Sequence, residues 1–378
     1  MTYDIKITNG LVIDPYNKTK EIKDLYIKDR FIIDNVNEND TAKQVIDANG
    51  CLVMPGLIEG HSHVFYGATS ACIPADVIML PGGVTTTIDC GTSGYANFDV
   101  FYRTTIANSV SNIRVFLNLI PAGLTNEVGS EDPNPKYFNA EKIIDCVNRY
   151  PHIIKGLKLR ISKDLCKGNG LEILQKAIEV ANKVKLPLAL HVMDPPIDIA
   201  EIAKLLRPGD IWVHIFQQKG QTIVDENGKI NAALFEAKKR GVLFDPSGGR
   251  SAFSIDYLKK ALEQNFVPEL LSTDQVSLNV YEPPLHSLLY TMSFYLNLGY
   301  NFDDVLNMVT VNIAKVLGEE KELCSLDGGT VADICIVKNK EVEKTFFDKY
   351  GDSFVGKQLL VPQMTIKDGK VVYRNIEF

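Results

Sequence analysis

The stretch Met54-Pro55-Gly56-Leu57-Ile58-Glu59-Gly60-His61-Ser62-His63-Val64 decides how the rest of the chain is read. A Pro-Gly turn feeds a short apolar run in which His61 and His63 stand two residues apart, so on an extended strand both imidazoles project to one side. Two neutral imidazoles on one face can grip one metal ion. A His-x-His pair also arises as two polar residues on a solvated strand face, so the pair acquires meaning only if further ligands occur at matching places downstream.

Outward from this stretch, residues 55 to about 320 show short β-rich runs alternating with longer amphipathic ones, the pattern of βα units around a parallel sheet. The strand candidates are 57–64, 84–89, 113–119, 154–160, 188–192, 211–215, 242–245 and 270–274. Eight such units predict an α/β fold of the closed (β/α)8 TIM barrel type. Leu171, Leu174, Ile178 and Ala181 fall at helical spacing, as do Leu258 and Leu262, and Leu288, Leu289, Met292 and Tyr295. These stripes read as helix faces packed on the barrel. The stretch 126–135, rich in Asn, Glu, Asp, Gly and Pro, reads as a surface loop after strand three.

The two ends of the chain carry a different pattern. Ile5-Lys6-Ile7-Thr8, the turn Asn9-Gly10 and Leu11-Val12-Ile13 predict a hairpin, and Leu25-Tyr26-Ile27 with Phe31-Ile32-Ile33 predict another around Asp29-Arg30. Met364-Thr365-Ile366-Lys367, Asp368-Gly369 and Lys370-Val371-Val372-Tyr373 form a third, preceded by the apolar run Ile334-Cys335-Ile336-Val337. An isolated hairpin is not stable in water, so both ends are expected to fold together. The expected division is a composite β-sandwich from 1–54 and 321–378, with the barrel at 55–320.

Composition bounds the partners. The 378 residues carry 23% charged and 45% hydrophobic side chains and a formal net charge of −7, with no basic block. That balance fits an ordinary globular protein and excludes nucleic acid or an anionic membrane as main partner. The seven cysteines are scattered and lack Cys-x-x-Cys spacing, so they read as reduced core residues. Neither a signal-peptide pattern nor an unbroken apolar segment of membrane-crossing length is present, and a cytoplasmic location is expected. A homo-oligomer is compatible with the sequence but not specified by it.

In a barrel of this kind chemistry sits where the strands end. Strand one ends in His61 and His63, strand four in Gly156-Leu157-Lys158-Leu159-Arg160, strand five in Leu190-His191, strand six in Val213-His214, and strand eight in Ser272-Thr273-Asp274. Four of the six histidines therefore lie at strand tips, whereas His152 and His286 fit no such position and read as structural or surface residues. Imidazole and carboxylate ligands suit zinc or a similar divalent ion better than calcium or magnesium. Lys158 is the odd member. An ammonium beside a metal is repelled, so it either turns away, pairs with a carboxylate, or takes up carbon dioxide as a carbamate and becomes an anionic bridge between two ions about 3.5–4 Å apart.

These residues together resemble the amidohydrolase superfamily in its two-metal form: His-x-His on strand one, a carboxylated lysine on strand four, histidines on strands five and six, and aspartate on strand eight. The resemblance covers the whole chain, including Gly83-Val84-Thr85-Thr86-Thr87 and Gly328-Gly329-Thr330-Val331-Ala332-Asp333-Ile334. His63-Val64-Phe65, Asp89-Cys90-Gly91-Thr92-Ser93-Gly94, Gly156-Leu157-Lys158-Leu159-Arg160 and Ser272-Thr273-Asp274 are most similar to a deacetylase branch acting on N-acetyl amino acids or O-acetyl 2-hydroxy acids, many of whose relatives carry labels such as dihydroorotase or adenine deaminase. The resemblance implies two divalent metal ions, zinc being expected, with His61, His63 and Asp274 on one, His191 and His214 on the other, and the Lys158 carbamate between them. Asp274 would also serve as general base and acid in hydrolysing an amide or ester acyl bond.

Departures from the pattern are informative. Glu59 stands where the family usually has aspartate, lengthening an acceptor beneath the ligands without removing one. Asn312-Ile313-Ala314 replaces Asn-Pro-Ala, and Phe244-Asp245-Pro246-Ser247-Gly248-Gly249-Arg250-Ser251 lies where the branch carries Gly-His-Gly, so Gly248 stands in for a loop histidine that faces substrate. For a small-molecule substrate with a carboxylate, Arg160 shares the strand parity of Lys158 and could bind it bidentately, or could equally pair with a barrel carboxylate. Ser93 and Gly94 are further candidate contacts, and Arg250 reads as a solvated loop charge before it reads as a second anion contact. Alternatives are a cyclic amidohydrolase of dihydroorotase type, a mononuclear deaminase needing an acid close behind a ligand histidine, where Asp194 is the only candidate, and a scaffold that binds no metal.

Overall fold

The computed structural model describes residues 1–34, 37, 40–125, 131–249, 252–282 and 287–378, so Arg250, His286 and the first half of the 126–135 loop lie outside the described residues. Seven parallel strands pair in sequence order: Leu57–Ser62, Val84–Gly94, Asn112–Asn118, Ile154–Ile161, Leu188–Val192, Ile211–Val213 and Leu243–Asp245. They are barrel strands one to seven. Strand two is buried along its whole length, as a strand covered on both faces must be. The helix Gly170–Val184 packs Ile173, Leu174, Ala177, Val180 and Ala181 inward, while Leu171 and Ile178 of the expected stripe lie half-buried at its margins.

The eighth run, 270–274, fills the gap between strands seven and one without forming a regular ladder. Leu270 N–H donates to the Phe244 carbonyl at 3.2 Å, and Gln275 makes a single parallel bridge to Ser62. Between them, Glu59 of strand one accepts from Thr273 N–H at 3.0 Å and from the Thr273 hydroxyl at 2.6 Å. A buried carboxylate thus takes the place of a backbone partner, satisfying the donor that a ladder would have used. The barrel closes through a side chain.

Strands from both ends of the chain form two further sheets. One runs in the order Lys370–Arg374, Ser353–Lys367, Ile334–Phe347, Leu52–Pro55, Leu11–Asp14, Thr19–Ile22, the other Phe31–Ile33, Leu25–Lys28, Thr2–Thr8, Thr41–Asp47. Ile7, Ile27, Val12, Val53, Ile334 and Met364 fill the layer between them. The expected hairpin around Asn9-Gly10 does not form, because its two strands belong to different sheets. Asn9, at φ 60°, turns the chain across the sandwich, and a Cβ at Gly10 would lie 2.5 Å from Val53 Cγ2. Only glycine fits that crossing. The turns at Asp29-Arg30 and Asp368-Gly369 do close antiparallel pairs, as read.

The strands Ile334–Phe347 and Ser353–Lys367 form a long hairpin that continues past the sandwich onto the barrel helix Leu288–Asn297. Leu360 N–H donates to Ser293 Oγ at 2.9 Å, and Phe294 packs edge-on against Phe346 and Phe354. At the hairpin tip, Asp348 accepts from Ile255 N–H at 2.8 Å and the Tyr350 hydroxyl from Gln218 N–H at 3.1 Å. All seven cysteines are free and buried. No helix among the described residues is long and apolar enough to cross a membrane.

Candidate metal centre

Every barrel strand named for a ligand delivers it to the same end of the sheet. The Nε2 atoms of His61 and His63 lie 3.6 and 3.3 Å from Asp274 Oδ1, and the three ligand atoms all fall within 4.8 Å of one another. Two atoms about 2.0–2.1 Å from one zinc ion at a tetrahedral angle are about 3.3–3.4 Å apart, so the spacing fits a shared divalent cation. On the adjoining side, His214 Nε2 and His191 Nδ1 face each other at 2.8 Å, and the His61 and His214 rings stand 5.6 Å apart. Lys158, almost wholly buried, lies between the two groups with its Nζ 3.1 Å from His61 Nε2 and 3.3 Å from Cys90 Sγ. No ion pair among the described residues includes Lys158.

The local backbone is shaped to bring these groups in. His214 and Asp274 both adopt left-handed conformations, φ 68° and 52°, where the strands end and the chain turns outward. Such conformations are costly for residues other than glycine and persist where the surroundings enforce them. Gly91, at φ 89°, leaves room for Lys158: a Cβ there would lie 2.5 Å from Lys158 Cγ. Gly249, at φ 50°, does the same for Asp274, whose Oδ2 would sit 2.5 Å from an added Cβ.

Behind the ligands, acceptors fix the rings and the turns. The Ser247 carbonyl accepts from His214 Nδ1 at 2.7 Å, which puts the proton on that nitrogen and leaves Nε2 with its lone pair. His63 Nδ1 shares a 2.9 Å hydrogen bond with Thr92 Oγ1, and Asp89 accepts from the backbone N–H groups of Thr92 and Val64. Glu59 accepts from the His61 backbone N–H rather than from its ring, whose Nδ1 is buried without a partner among the described residues. Burial pushes the Glu59 carboxyl up to about 8 and Asp245 to about 6. Burial, with Lys158 next in weight for His61 and His214 for His191, holds both imidazoles well below their ordinary range, and burial takes His214 down to about 4. All three are therefore neutral near pH 7, the state a ligand requires. For Asp274 burial opposes ionisation, but the His63 hydrogen bond and the nearby Lys158 charge outweigh it and hold the carboxyl below its usual range.

A cavity of about 440 Å³ opens over this centre, lined by His61, His63, Lys158, His191 and Asp274 and walled by Leu124, Leu165, Val276, Arg160 and Glu131. The candidate contacts at Ser93 and Gly94 do not line it. Gly123 lies across them, its Cβ position within 2.7 Å of the Ser93 backbone, while the Gly94 N–H is spent on Asn97 Oδ1 at 3.0 Å. Arg160 reaches the cavity and pairs with Glu131 at 2.9 Å. The sequence reading missed Glu131 by treating its loop as a surface segment. Asp194 is turned away from the histidines, 3.2 Å from Lys163 Nζ. His152 is exposed and takes no part.

Imidazoles and a carboxylate converging at the C-terminal mouth of a parallel barrel are the arrangement of a barrel hydrolase. A sequence profile of the Amidohydrolase family matches residues 52–372, and the chain belongs to that family. It is 31% identical over 328 residues to a deacetylase from Agrobacterium fabrum, covering 85% of this chain and 79% of that one. A deacetylase from Enterococcus faecalis is 27% identical over 377 residues, covering 98% and 99%. Among solved structures, an adenine deaminase superposes with a TM-score of 0.89 at 27% identity over 99% of this chain and 100% of that one. A dihydroorotase superposes with a TM-score of 0.85 at 28% identity, over 97% and 98%. The protein is an enzyme, a hydrolase of this superfamily.

Proposed function

We propose that the protein is a metal-dependent deacetylase that hydrolyses the acyl bond of N-acetyl amino acids or O-acetyl 2-hydroxy acids. The observation that carries this reading is the convergence of His61, His63 and Asp274 within 4.8 Å, beside a buried Lys158, under a cavity that Arg160 enters. The near full-length similarity to proteins named deacetylase supports the acyl group. In this reading the barrel, 55–320, carries the chemistry, and the composite sandwich, 1–54 with 321–378, supports it.

His61, His63 and Asp274 hold one divalent cation, His191 and His214 a second, with zinc the best match to the donor set. Lys158, as a carbamate, would supply anionic oxygen donors to these cations. A buried ammonium with no carboxylate partner is costly, whereas the carbamate is an anion facing cations. Two bound cations would lower the pKa of a water from 15.7 toward about 7 and polarise the acyl oxygen. Asp274, kept ionised, accepts the proton released as water attacks the acyl carbon. It passes that proton to the departing nitrogen or alkoxide oxygen as the C–N or C–O bond breaks. Leu124, Leu165 and Val276 give the substrate an apolar wall, and Arg160 offers its carboxylate a cation.

The test is turnover of N-acetyl amino acids and acetylated 2-hydroxy acids by protein loaded with zinc in bicarbonate, with metal content counted. Release of acetate at two metals per chain is expected. A cyclic-amide reading is favoured by the dihydroorotase structure and by partial similarity to proteins named dihydroorotase, and dihydroorotate and adenine belong in the same panel. Cleavage of either in preference to every acetyl compound would overturn the deacetylase assignment.

A further inference from the structure

Glu131 is an unusual residue to find in a cavity wall that is meant to attract an anion. Its side chain is only 4% exposed, and its two oxygens are divided between two partners: Oε2 accepts from Arg160 Nη1 at 2.9 Å and Oε1 from Asn118 Nδ2 at 3.3 Å. Asn118 is itself immobilised. Its Nδ2 also donates to the Gly91 carbonyl at 3.0 Å, its Oδ1 accepts from Ile120 N–H at 3.0 Å, and it stands beside Lys158 in the register of strands three and four. The carboxylate is therefore anchored from the sheet, and it anchors Arg160 in turn.

That contact uses one end of the guanidinium. Nη1 is engaged, whereas Nε is buried with no partner, and among the described residues no hydrogen bond of Nη2 is found. Nη2 is thus the donor left for an acceptor that enters the cavity, and a hydrogen bond from a guanidinium to a carboxylate is charge-assisted. Arg160 and Glu131 both line the cavity.

We infer that Glu131 is a positioning residue: by holding Nη1 it fixes the Arg160 guanidinium in the cavity wall with Nη2 left to meet a substrate carboxylate, and so sets the preference of the enzyme for acids over their neutral amides. A free arginine side chain would spread its charge over many rotamers and favour any anion near the mouth. A clamped one rewards a carboxylate at one place and angle. Because the ion pair is already neutral, the reward comes from hydrogen-bond geometry rather than from net charge. The inference rests on the proposed reading of this cavity as the substrate site.

The experiment compares a panel of N-acetyl amino acids, both enantiomers, with the corresponding carboxamides on the metal-loaded enzyme. Wild type is expected to prefer the acid. Glu131→Ala should lower the acid-over-amide ratio of kcat/KM on the order of tenfold to a hundredfold, chiefly through KM. Glu131→Gln keeps an acceptor oxygen for Nη1 and the packing volume, and should recover most of the ratio. An unchanged ratio in Glu131→Ala, or an equal loss for acid and amide, overturns the inference. If wild type hydrolyses none of the panel, the deacetylase reading falls. The same compounds are then titrated calorimetrically: loss of acid-over-amide binding in Glu131→Ala upholds the role of Glu131 without that reading, and its retention removes both.

Discussion

In the proposed mechanism Asp274 does two things at once, and its surroundings separate them. Its Oδ1 faces His61 and His63, while a left-handed backbone and the absence of a Cβ at Gly249 leave room for Oδ2. Asp274→Asn keeps a ligand oxygen but loses the base, so metal content measured by elemental analysis should stay near two per chain while kcat falls by roughly 10²–10⁴. An Asn variant with wild-type kcat would remove Asp274 from the mechanism. Gly249→Ala tests the space rather than the base. An added Cβ 2.5 Å from Oδ2 at φ 50° should cost roughly 1–3 kcal/mol of stability by thermal denaturation and depress activity with the substrate panel. The convergence of His61, His63 and Asp274 was legible because His-x-His spacing and strand-tip placement are one-dimensional signals. Glu131 was not, since its loop composition is that of a solvent-facing segment and only the pairing with Arg160 turns it inward. Ser93 and Gly94 lie off the cavity for the converse reason: proximity to a strand tip in sequence does not show that Gly123 covers them.

Elements hold these residues through polar groups placed where ladders end. Glu59 accepts from His61 N–H, Thr273 N–H and the Thr273 hydroxyl, joining the first strand to the eighth run. Glu59→Ala would strand buried donors on both sides, and a loss of roughly 3 kcal/mol or more by chemical denaturation is expected, together with loss of metal. At the opposite end of the barrel, Glu319 bonds Arg114 of strand three and Lys155 of strand four. Burial opposes its ionisation, but those two cations prevail and hold the carboxyl below its ordinary value of 4.5. The sign follows. The ionised form is favoured by folding, so the stabilisation is complete above about pH 4.5 and disappears as pH falls through the depressed folded value. Wild type should therefore exceed Glu319→Gln in Tm near neutral pH, with the difference shrinking below about pH 4.5. A gap that widens in acid would contradict this. Strand periodicity showed the eighth run but not its missing ladder, because an acceptor supplied by a side chain leaves no trace in a hydrophobic pattern.

On the scale of the whole molecule, the two sheets and the barrel share more than a boundary. The long hairpin of Ile334–Phe347 and Ser353–Lys367 runs from the sandwich to the loops after strands six and seven, where Tyr350 meets Gln218 and Asp348 meets Ile255. A single cooperative unfolding transition is expected, and Asp348→Ala should weaken catalysis by loosening the segment that carries Ser247 and Gly249. The alternation of strands and helices made the barrel readable, and the β-rich ends made the sandwich readable. The crossing at Asn9-Gly10 was not, since an Asn-Gly pair looks the same whether it reverses a strand or passes it to another layer.

The interleaving of first and last strands in one sheet also sets an order of events during synthesis. Leu52–Pro55 is hydrogen-bonded to Ile334–Val337, so the platform beneath the barrel stays open-edged until some 300 further residues have been translated. At ordinary elongation rates that is a wait on the order of tens of seconds, during which the edge of Leu52–Pro55 can pair wrongly with other nascent chains. Chaperone dependence should then track the delivery of the final hairpin rather than the stability of the finished enzyme.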